Sequence, residues 1–359
     1  MSSVGSRIAS PLGLGGVSAL LLVISAPASA WAAQEARPRT PGLVSEERVE
    51  LFLALLKRRA QQALEAHRAP PPSLLSASAE ISQGYESNVL LDGEKRGDFF
   101  TQETAAVILR PRVTSWVGGE LAYNLLNTHY ADLRDANLFM NTVTATLRFQ
   151  PHRRLRCDVG YEFSNVEFPF DTGSTFVDHR TSASAAFSLT RWLTHKATWT
   201  YQARNYDSRL ARDGAGNDRP NDERHDERHI VSQELTLRLP KTSVKLGGEF
   251  YRNFSNDLAQ DFYDWEDYQL QGLASRVLHP RWIGLVVGTY ERRNYQRRSV
   301  PAINVAERDD LYTAAGSLIF LINEHAELTY SLTYRYQDSN DPRLDFLDWV
   351  NQVRFGLEF

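Results

Sequence analysis

The sequence predicts an all-β protein: a transmembrane antiparallel up-and-down β-barrel of about 14 strands with a short N-terminal helix. Three observations carry that reading. From Leu75 onward apolar residues recur with a period of two over segments of ten residues or more. The connections between these segments alternate between short turns and longer polar loops. Finally, 7 Trp, 15 Tyr and 17 Phe sit in a polar chain whose mean hydropathy is −0.41.

Composition narrows the alternatives. The 359 residues are 42% hydrophobic, with 40 Lys+Arg against 44 Asp+Glu. Each spanning helix of a membrane bundle needs about 20 mostly apolar residues, and one stretch alone approaches that, near the N-terminus. The single cysteine, Cys157, excludes a disulfide framework and a multi-cysteine metal centre. The balanced charge offers no basic footprint for nucleic acid, and the mature part has no Gly-rich phosphate loop or helix-turn-helix pattern.

The chain divides into three parts. Arg7, the apolar run from Pro11 to about Ile24 and the small-x-small site Ala28-Ser29-Ala30 read as a secretory signal peptide over 1–30. Its removal takes away one positive charge and moves the formal net charge from −4 to −5. Residues 31–73 read as a periplasmic helix and Pro-rich linker. Ser45 stands as N-cap, Glu46 and Glu47 in the first turn, and Lys57, Arg58 and Arg59 later. Val49, Phe52, Leu53, Leu56, Ala60, Ala63 and Leu64 form one apolar stripe, and Pro70-Pro71-Pro72 ends it. Residues 74–359 form the barrel.

The clearest strand is Ala326–Tyr336, where Ala326, Leu328, Tyr330, Leu332, Tyr334 and Tyr336 share one face and Glu327, Thr329, Ser331, Thr333 and Arg335 the other. The pattern marks strands near 75–85, 99–110, 113–126, 138–150, 155–167, 180–191, 194–206, 230–239, 243–254, 264–278, 282–294, 310–321, 326–337 and 346–359. The second, tenth, eleventh and twelfth alternate less cleanly, which leaves twelve and sixteen strands open. Six short turns lie around Pro111, Pro151–Arg154, Trp192-Leu193, Pro240–Thr242, His279–Arg281 and Asn323–His325. Fourteen strands beginning and ending on one side need six connections there and seven on the other.

Length and chemistry then place the barrel in a membrane. Strands of about 9–11 residues, tilted, cross a hydrocarbon core, whereas strands of soluble sandwiches usually run about 5–6. In lipid each backbone polar group must be paired internally, so a sheet spans only when it closes. Aromatic girdles mark both interfaces of such barrels. Phe149, Trp282, Phe320 and Phe355 occupy the short-turn ends, and Tyr161, Phe163, Tyr201, Tyr334, Tyr336 and Trp349 the long-loop ends.

The last strand ends with Val353, Phe355, Leu357 and the terminal Phe359 on one face. This resembles the C-terminal assembly signal of Gram-negative outer-membrane barrels, from which Asn351 departs. The hexapeptide Gly84-Tyr85-Glu86-Ser87-Asn88-Val89 resembles the Tyr-Asp-Ser-Asn opening of barrels of the surface lipoprotein assembly modifier type and of exopolysaccharide loci. Glu86 replaces the Asp, and the helical-repeat domain of the lipoprotein exporters is reduced here to one helix. The resemblance implies an outer-membrane location. The partners it implies are outer-membrane lipids, the barrel assembly machinery, periplasmic chaperones and, for an exporter, periplasmic or inner-membrane components.

Inside, Arg148, Arg156, Lys196, Arg204, Arg238, Lys245, Arg335 and Arg354 face Glu120, Asp158, Glu162, Glu234, Glu249, Glu327, Asp348 and Glu358. Eight against eight favours structural ion pairs over a filter for one sign of ion, because opposite charges on neighbouring strands cancel each other's field. Fourteen strands lie between the filled 8-stranded barrel and the 16–18-stranded channel, so a narrow wet pore is expected, unless the helix at 44–67 plugs it. The segment Asp207–Arg228, with Asp222-Glu-Arg-His225 repeated as Asp226-Glu-Arg-His229, reads as a solvated mixed-charge loop. A divalent-cation site on its two histidines is the alternative. His129, Asp178 and His179 near the long-loop ends lack a nucleophile motif or paired-carboxylate spacing, so no enzyme, cofactor or metal is expected. The functional expectation is a channel or transport component passing or exporting a polar solute or surface molecule. The competing classes are a partner-gated export barrel and a barrel-embedded hydrolase.

Overall fold

The computed structural model describes residues 74–91, 95–258, 263–300 and 304–359. The signal peptide, helix and linker read at 1–73 lie outside the described residues. Fourteen strands occur among the described residues: β1 (Leu75–Glu86), β2 (Asp98–Leu109), β3 (Val117–Tyr130), β4 (Leu138–His152), β5 (Leu155–Glu167), β6 (Phe176–Ser188), β7 (Leu193–Arg212), β8 (Asp218–Leu239), β9 (Thr242–Ser255), β10 (Trp265–His279), β11 (Trp282–Val300), β12 (Val305–Leu321), β13 (Ala326–Ser339) and β14 (Phe346–Glu358). Each pairs antiparallel with the next, and β14 returns to β1 to close the barrel. The closing ladder runs from Ser78 opposite Glu358 to Glu86 opposite Val350. No sheet edge is left to present unpaired backbone groups to lipid.

Both ends of the chain's strand series lie at the end with the six short turns. Small hydroxyl and amide side chains build those turns. Thr114 Oγ1 accepts from the Val117 N–H at 3.0 Å, Thr190 Oγ1 from Leu193 at 3.0 Å, and Asn323 Oδ1 from His325 at 2.8 Å. These local bonds set two boundaries differently from the hydropathy pattern. β3 begins at Val117 and not at 113, and β6 ends at Ser188 and not at 191, because residues around Thr114 and Thr190 are spent on the turns.

The long-loop end departs more. The segment Asp207–Arg228, read as a loop, is mostly strand: β7 runs to Arg212 and β8 starts at Asp218, joined by a tight tip at Asp213–Asn217. Backbone and side-chain hydrogen bonds from Asn217 hold the Asp213 carboxyl below its usual range. β11 and β12 are likewise extended, to Val300 and from Val305. Hydropathy could not mark these extensions, since above the bilayer neither face of a strand needs to be apolar.

Side chains alternate between the two faces along each strand, although Ile283, Leu285 and Val287 make the inner face of β11 apolar as well. Leu147, Val159, Leu246, Leu270, Val286 and Val353 face outward and are exposed, a lipid-facing belt on a sheet closed against itself. On β11, Trp282 marks one interface and Tyr290 the other, eight residue steps apart. At about 3.3 Å per residue and a tilt of about 40°, they stand about 20 Å apart along the membrane normal. Trp282 meets Phe320 with ring centroids 4.7 Å apart, Tyr290 meets Tyr312 at 5.1 Å, and Tyr334 meets Trp349 at 4.5 Å. No helix among the described residues is long and apolar enough to cross a membrane.

Val286 lies midway between the two girdles and is 63% exposed, while its neighbour Leu285 faces the lumen. Val286→Arg should therefore cost about 2–4 kcal/mol, the penalty of a cation at the bilayer midplane, and Leu285→Arg much less. Urea unfolding in lipid vesicles measures both, and equal losses would mean that the faces are misassigned.

Candidate functional site: the lumen and its long-loop mouth

Strand parity puts all sixteen predicted inward charges inside the barrel, and near the short-turn end they are paired as expected. Arg148 and Arg156 both reach Asp158 at 3.2 Å, Arg110 reaches Glu120 at 3.2 Å, and Arg354 bridges Glu80 at 3.0 Å and Glu327 at 3.2 Å. Lys196 stands opposite Glu234 in the β7–β8 ladder, and Gln271 donates to Glu249 at 3.1 Å. Lys245 and Glu358 also face inward, at the same end, and so does the exposed Arg238. These groups are only partly covered: the Arg148 and Arg156 side chains are 42% and 45% exposed. At this end the rim arginines are half-exposed, while the inward Ile108, Ala186, Thr236, Ile283 and Ile319 are buried.

The half toward the long loops is filled. Arg204 is 2% exposed and Gln202 1%. Both hydrogen-bond to Asp178, Arg204 through Nε at 3.1 Å and Gln202 through Nε2 at 2.8 Å. The Arg204 guanidinium lies 4.1 Å from the Phe176 ring centroid. Arg224 pairs with Asp226 at 2.5 Å and sits 3.3 Å over Tyr263 and 4.6 Å over Tyr206. Arg228 and Arg293 lie on the Trp265 ring at 4.6 and 4.5 Å. Arg293 also pairs with Asp267 at 3.3 Å and Glu291 at 2.8 Å. Leu126, Leu138, Met140, Val166, Phe168, Phe176 and Tyr206 form an apolar cluster on the same level. Guanidinium on aromatic faces, with a carboxylate at its edge, is how a cation is held away from water at tolerable cost. The aromatics are thus not all girdle: Phe100, Tyr130, Phe176, Tyr206, Trp265, Tyr295 and Phe346 are buried and point inward.

The hexapeptide at the end of β1 occupies the closing seam of this layer. Arg335 on β13 donates to Asp348 on β14, through Nε at 2.7 Å, and to Glu86 on β1 at 2.5 Å. The three side chains are 4%, 0% and 7% exposed. The two carboxylates are further satisfied by Tyr130 O–H to Glu86 at 2.5 Å, Ser87 O–H to Asp348 at 3.0 Å and the Asn88 N–H to Asp348 at 2.9 Å. Ser87 Oγ in turn accepts from the Trp349 N–H at 2.7 Å. Gly84 is required here because a Cβ would sit 2.4 Å from the Asn351 carbonyl oxygen and 2.6 Å from the Phe100 ring. Glu86, a departure from the resembled motif, is one end of a bridge that ties the first strand to the last two.

Strand alternation separates the pairs that suggested catalysis or metal binding. Asp178 faces inward, bound to Arg204, while His179 faces outward beside Tyr161 at 2.7 Å and Phe163. His129 shares an outward hydrogen bond with Asn127 at 2.8 Å. In the repeated Asp-Glu-Arg-His segment, Arg224, Asp226 and Arg228 are buried inside. His225 lies 3.6 Å from Glu227, and His229 stacks on Trp199 and meets Tyr201 at a tilt, outside. Among the described residues no group of three or more His, Cys, Asp or Glu side chains is placed to hold a metal ion. Sequence reading missed the inward Glu86, Asp178, Arg224, Asp226, Arg228, Asp267 and Arg293. The parity of their own strands could have located Asp178 and Arg293.

Arg335→Ala should cost about 3–5 kcal/mol, because it strands two buried carboxylates. Arg335→Lys should recover only part of that, since a point-charge ammonium cannot replace the planar fork that spans both acids. Denaturant midpoints of the refolded proteins check this, and a wild-type midpoint for Arg335→Ala would contradict the bridge.

Neither a protein-family model nor a curated protein matches the chain. Among solved structures it is similar to an anion-selective porin from Comamonas acidovorans, with 7% identity over 79% of this chain and 98% of that one and a TM-score of 0.45. It is also similar to OmpT, an outer-membrane protein of Vibrio cholerae, with 6% identity over 81% and 100% and a TM-score of 0.46. A third is the siderophore receptor PirA of Pseudomonas aeruginosa, with 12% identity over 81% of each chain and a TM-score of 0.36.

Proposed function

We propose that the chain is a channel or transport component of a Gram-negative outer membrane whose outer mouth is held shut by side chains. The short turns and both ends of the strand series then face the periplasm, and the long loops the outside. One observation carries the reading: along the depth of one lumen, inward side chains pass from half-exposed, as at Arg148 and Arg156, to buried, as at Arg204, Arg224 and Arg335. A chamber with paired charges of both signs suits polar solutes of either charge, because no single sign dominates its field.

A layer of stacked arginines does not open by thermal motion of one side chain, since each guanidinium is held by a ring and a carboxylate together. This favours opening by a ligand or partner, which is also what an export barrel for a surface lipoprotein or exopolysaccharide would need. The separation of His179 from Asp178 across the barrel wall favours a non-enzymatic role over a barrel-embedded hydrolase. In the same reading residues 1–30 direct export. Phe355, Leu357 and the exposed Phe359 serve as the signal read by the assembly machinery.

Planar-bilayer recording tests the closed mouth. The purified wild-type protein should show no steady open level. The double variant Tyr206→Ala/Trp265→Ala, which removes rings and leaves the ion pairs Arg204–Asp178, Arg224–Asp226 and Arg293–Asp267 in place, should open a steady conductance. A large, steady wild-type conductance that the double variant leaves unchanged would refute the reading.

A further inference from the structure

One wall of the lumen is built differently from the rest. The inward residues of β11 from Ile283 to Val287, of β12 from Ile319 to Ala315 and of β13 from Thr329 to Thr333 stand in register in three rows of three. All are Ser, Thr, Ala, Val, Leu or Ile, with no charge and no long side chain among them. Yet Ile283, Val287, Ile319, Ser331 and Thr333 are only 5%, 8%, 5%, 7% and 1% exposed. Elsewhere in the same half a short inward side chain has a long neighbour to cover it: Ala186 stands between Arg156 and Lys196, and Thr236 donates to Glu234 at 2.9 Å. Within its three rows the panel on β11–β13 has no such neighbour.

Its cover comes from outside the fourteen strands. Strands about 4.8 Å apart and tilted by about 40° close, at fourteen, into a cylinder about 28 Å across between backbones. Short side chains on one wall are therefore out of reach of those on the wall opposite. The panel lies at the short-turn end, where the connections are too brief to fold inward. The chain itself enters at that end. Leu74, whose carbonyl accepts from the Arg110 N–H at 2.7 Å, leads into β1, and β1 is two strands from β13 across the closing seam. Residues 68–73 extend over as much as about 20 Å, more than the three strand spacings, about 14 Å, that separate β1 from β12.

Upstream of that linker, residues 44–67 carry the apolar stripe from Val49 to Leu64, while Glu47, Arg58 and Glu65 fall on the opposite side of the same helical wheel. Such a stripe needs an apolar surface to bury against. A helix is about 10 Å across with its side chains, and β11 and β13 are also about 10 Å apart. We propose that residues 44–67 lie in the lumen as an amphipathic helix, with the Val49–Leu64 stripe seated on the β11–β13 panel and the charged side turned to the wall where Arg148 and Arg156 share Asp158. The seated helix narrows the lumen along one wall and leaves the half-exposed arginine side accessible. It holds its place whether or not the long-loop mouth is closed.

Thiol labelling of the folded full chain in detergent tests the seat. With Cys157 replaced by Ala, Ser331→Cys under the helix and Thr198→Cys on β7 are each offered a small charged thiol reagent, with and without Phe52→Asp/Leu56→Asp on the stripe. Ser331→Cys should be protected when the stripe is native and should react about tenfold faster or more in the Phe52→Asp/Leu56→Asp background, because losing the burial of one large apolar side chain already exceeds the roughly 1.4 kcal/mol that a tenfold shift requires. Thr198→Cys should react alike in both. Equal reactivity of Ser331→Cys and Thr198→Cys with the native stripe would overturn the proposal. So would protection of Ser331→Cys that survives the two stripe substitutions, which assigns the cover to a bound acyl chain or to the barrel itself. If the stripe variant does not reach its heat-modifiable folded form, p-benzoylphenylalanine in place of Leu56 gives a second measurement. Irradiation should cross-link it to peptides of β11–β13, and cross-links confined to other strands, or none, are equally decisive against the seat.

Discussion

A backbone in hydrocarbon has nowhere to place an unpaired N–H or C=O, and that constraint governs this molecule from one end to the other. A sheet of fourteen strands meets it only if the first strand finds the last. The β1–β14 ladder does so. Inside that seam lies a buried, bonded polar group, Arg335 between Glu86 and Asp348, with Tyr130, Ser87 and Asn88 completing the carboxylates. Lower on the same seam Gln352 donates to Ser82 at 2.6 Å and Arg354 to Glu80 at 3.0 Å. Closure is thus written twice, in backbone pairs facing the membrane and in side-chain bonds facing the lumen. Of these, the bonds Arg335–Glu86, Ser87–Asp348, Gln352–Ser82 and Arg354–Glu80 join residues 249 to 274 positions apart in sequence.

The same alternation that closes the sheet also divides its chemistry. One set of side chains solves the lipid problem with aliphatic residues between aromatic girdles. The other set, free of lipid, takes up charge. Near the short turns the charges pair across neighbouring strands and are partly exposed; near the long loops they pair, stack on Phe176, Tyr206, Tyr263 and Trp265, and are buried. Burying so many guanidiniums is costly unless each is matched. Here a ring face and a carboxylate edge do the matching, which makes the mouth a cooperative layer and not a row of independent gates.

Most of the fold was legible because parity propagates: once Tyr330 is placed outward, Thr329 and Arg335 must face in, and each long strand fixes its own register of faces. The short turns were equally plain, at Pro240–Thr242 and Asn323–His325. What escaped the sequence lay where hydropathy carries no signal. The ends of β7 and β8 rise above the bilayer with polar residues on both faces, so Asp222–His229 looked like a loop although its alternate residues, Arg224, Asp226 and Arg228, are buried in the lumen. The inward aromatics were hidden for a different reason. Phe176 and Trp265 look like girdle residues by position, and only their shared parity with Asp178 and Asp267 tells that they cap the lumen. Glu86 looked like a deviation from a motif, since its partner Arg335 is 249 residues away in the chain.

In the proposed channel the lumen is accessible from the short-turn end and closed by side chains at the long-loop mouth. Thiol accessibility on β7 tests it most directly. Cys157 is first replaced by Ala. Then Thr198→Cys, facing the half-covered part of the lumen, and Gln202→Cys, at a position 1% exposed, are each offered a charged, membrane-impermeant thiol reagent. The account predicts that Thr198→Cys reacts only when the reagent reaches the periplasmic side and that Gln202→Cys resists it from both sides. Rapid labelling of both positions from the outside of intact cells would contradict it.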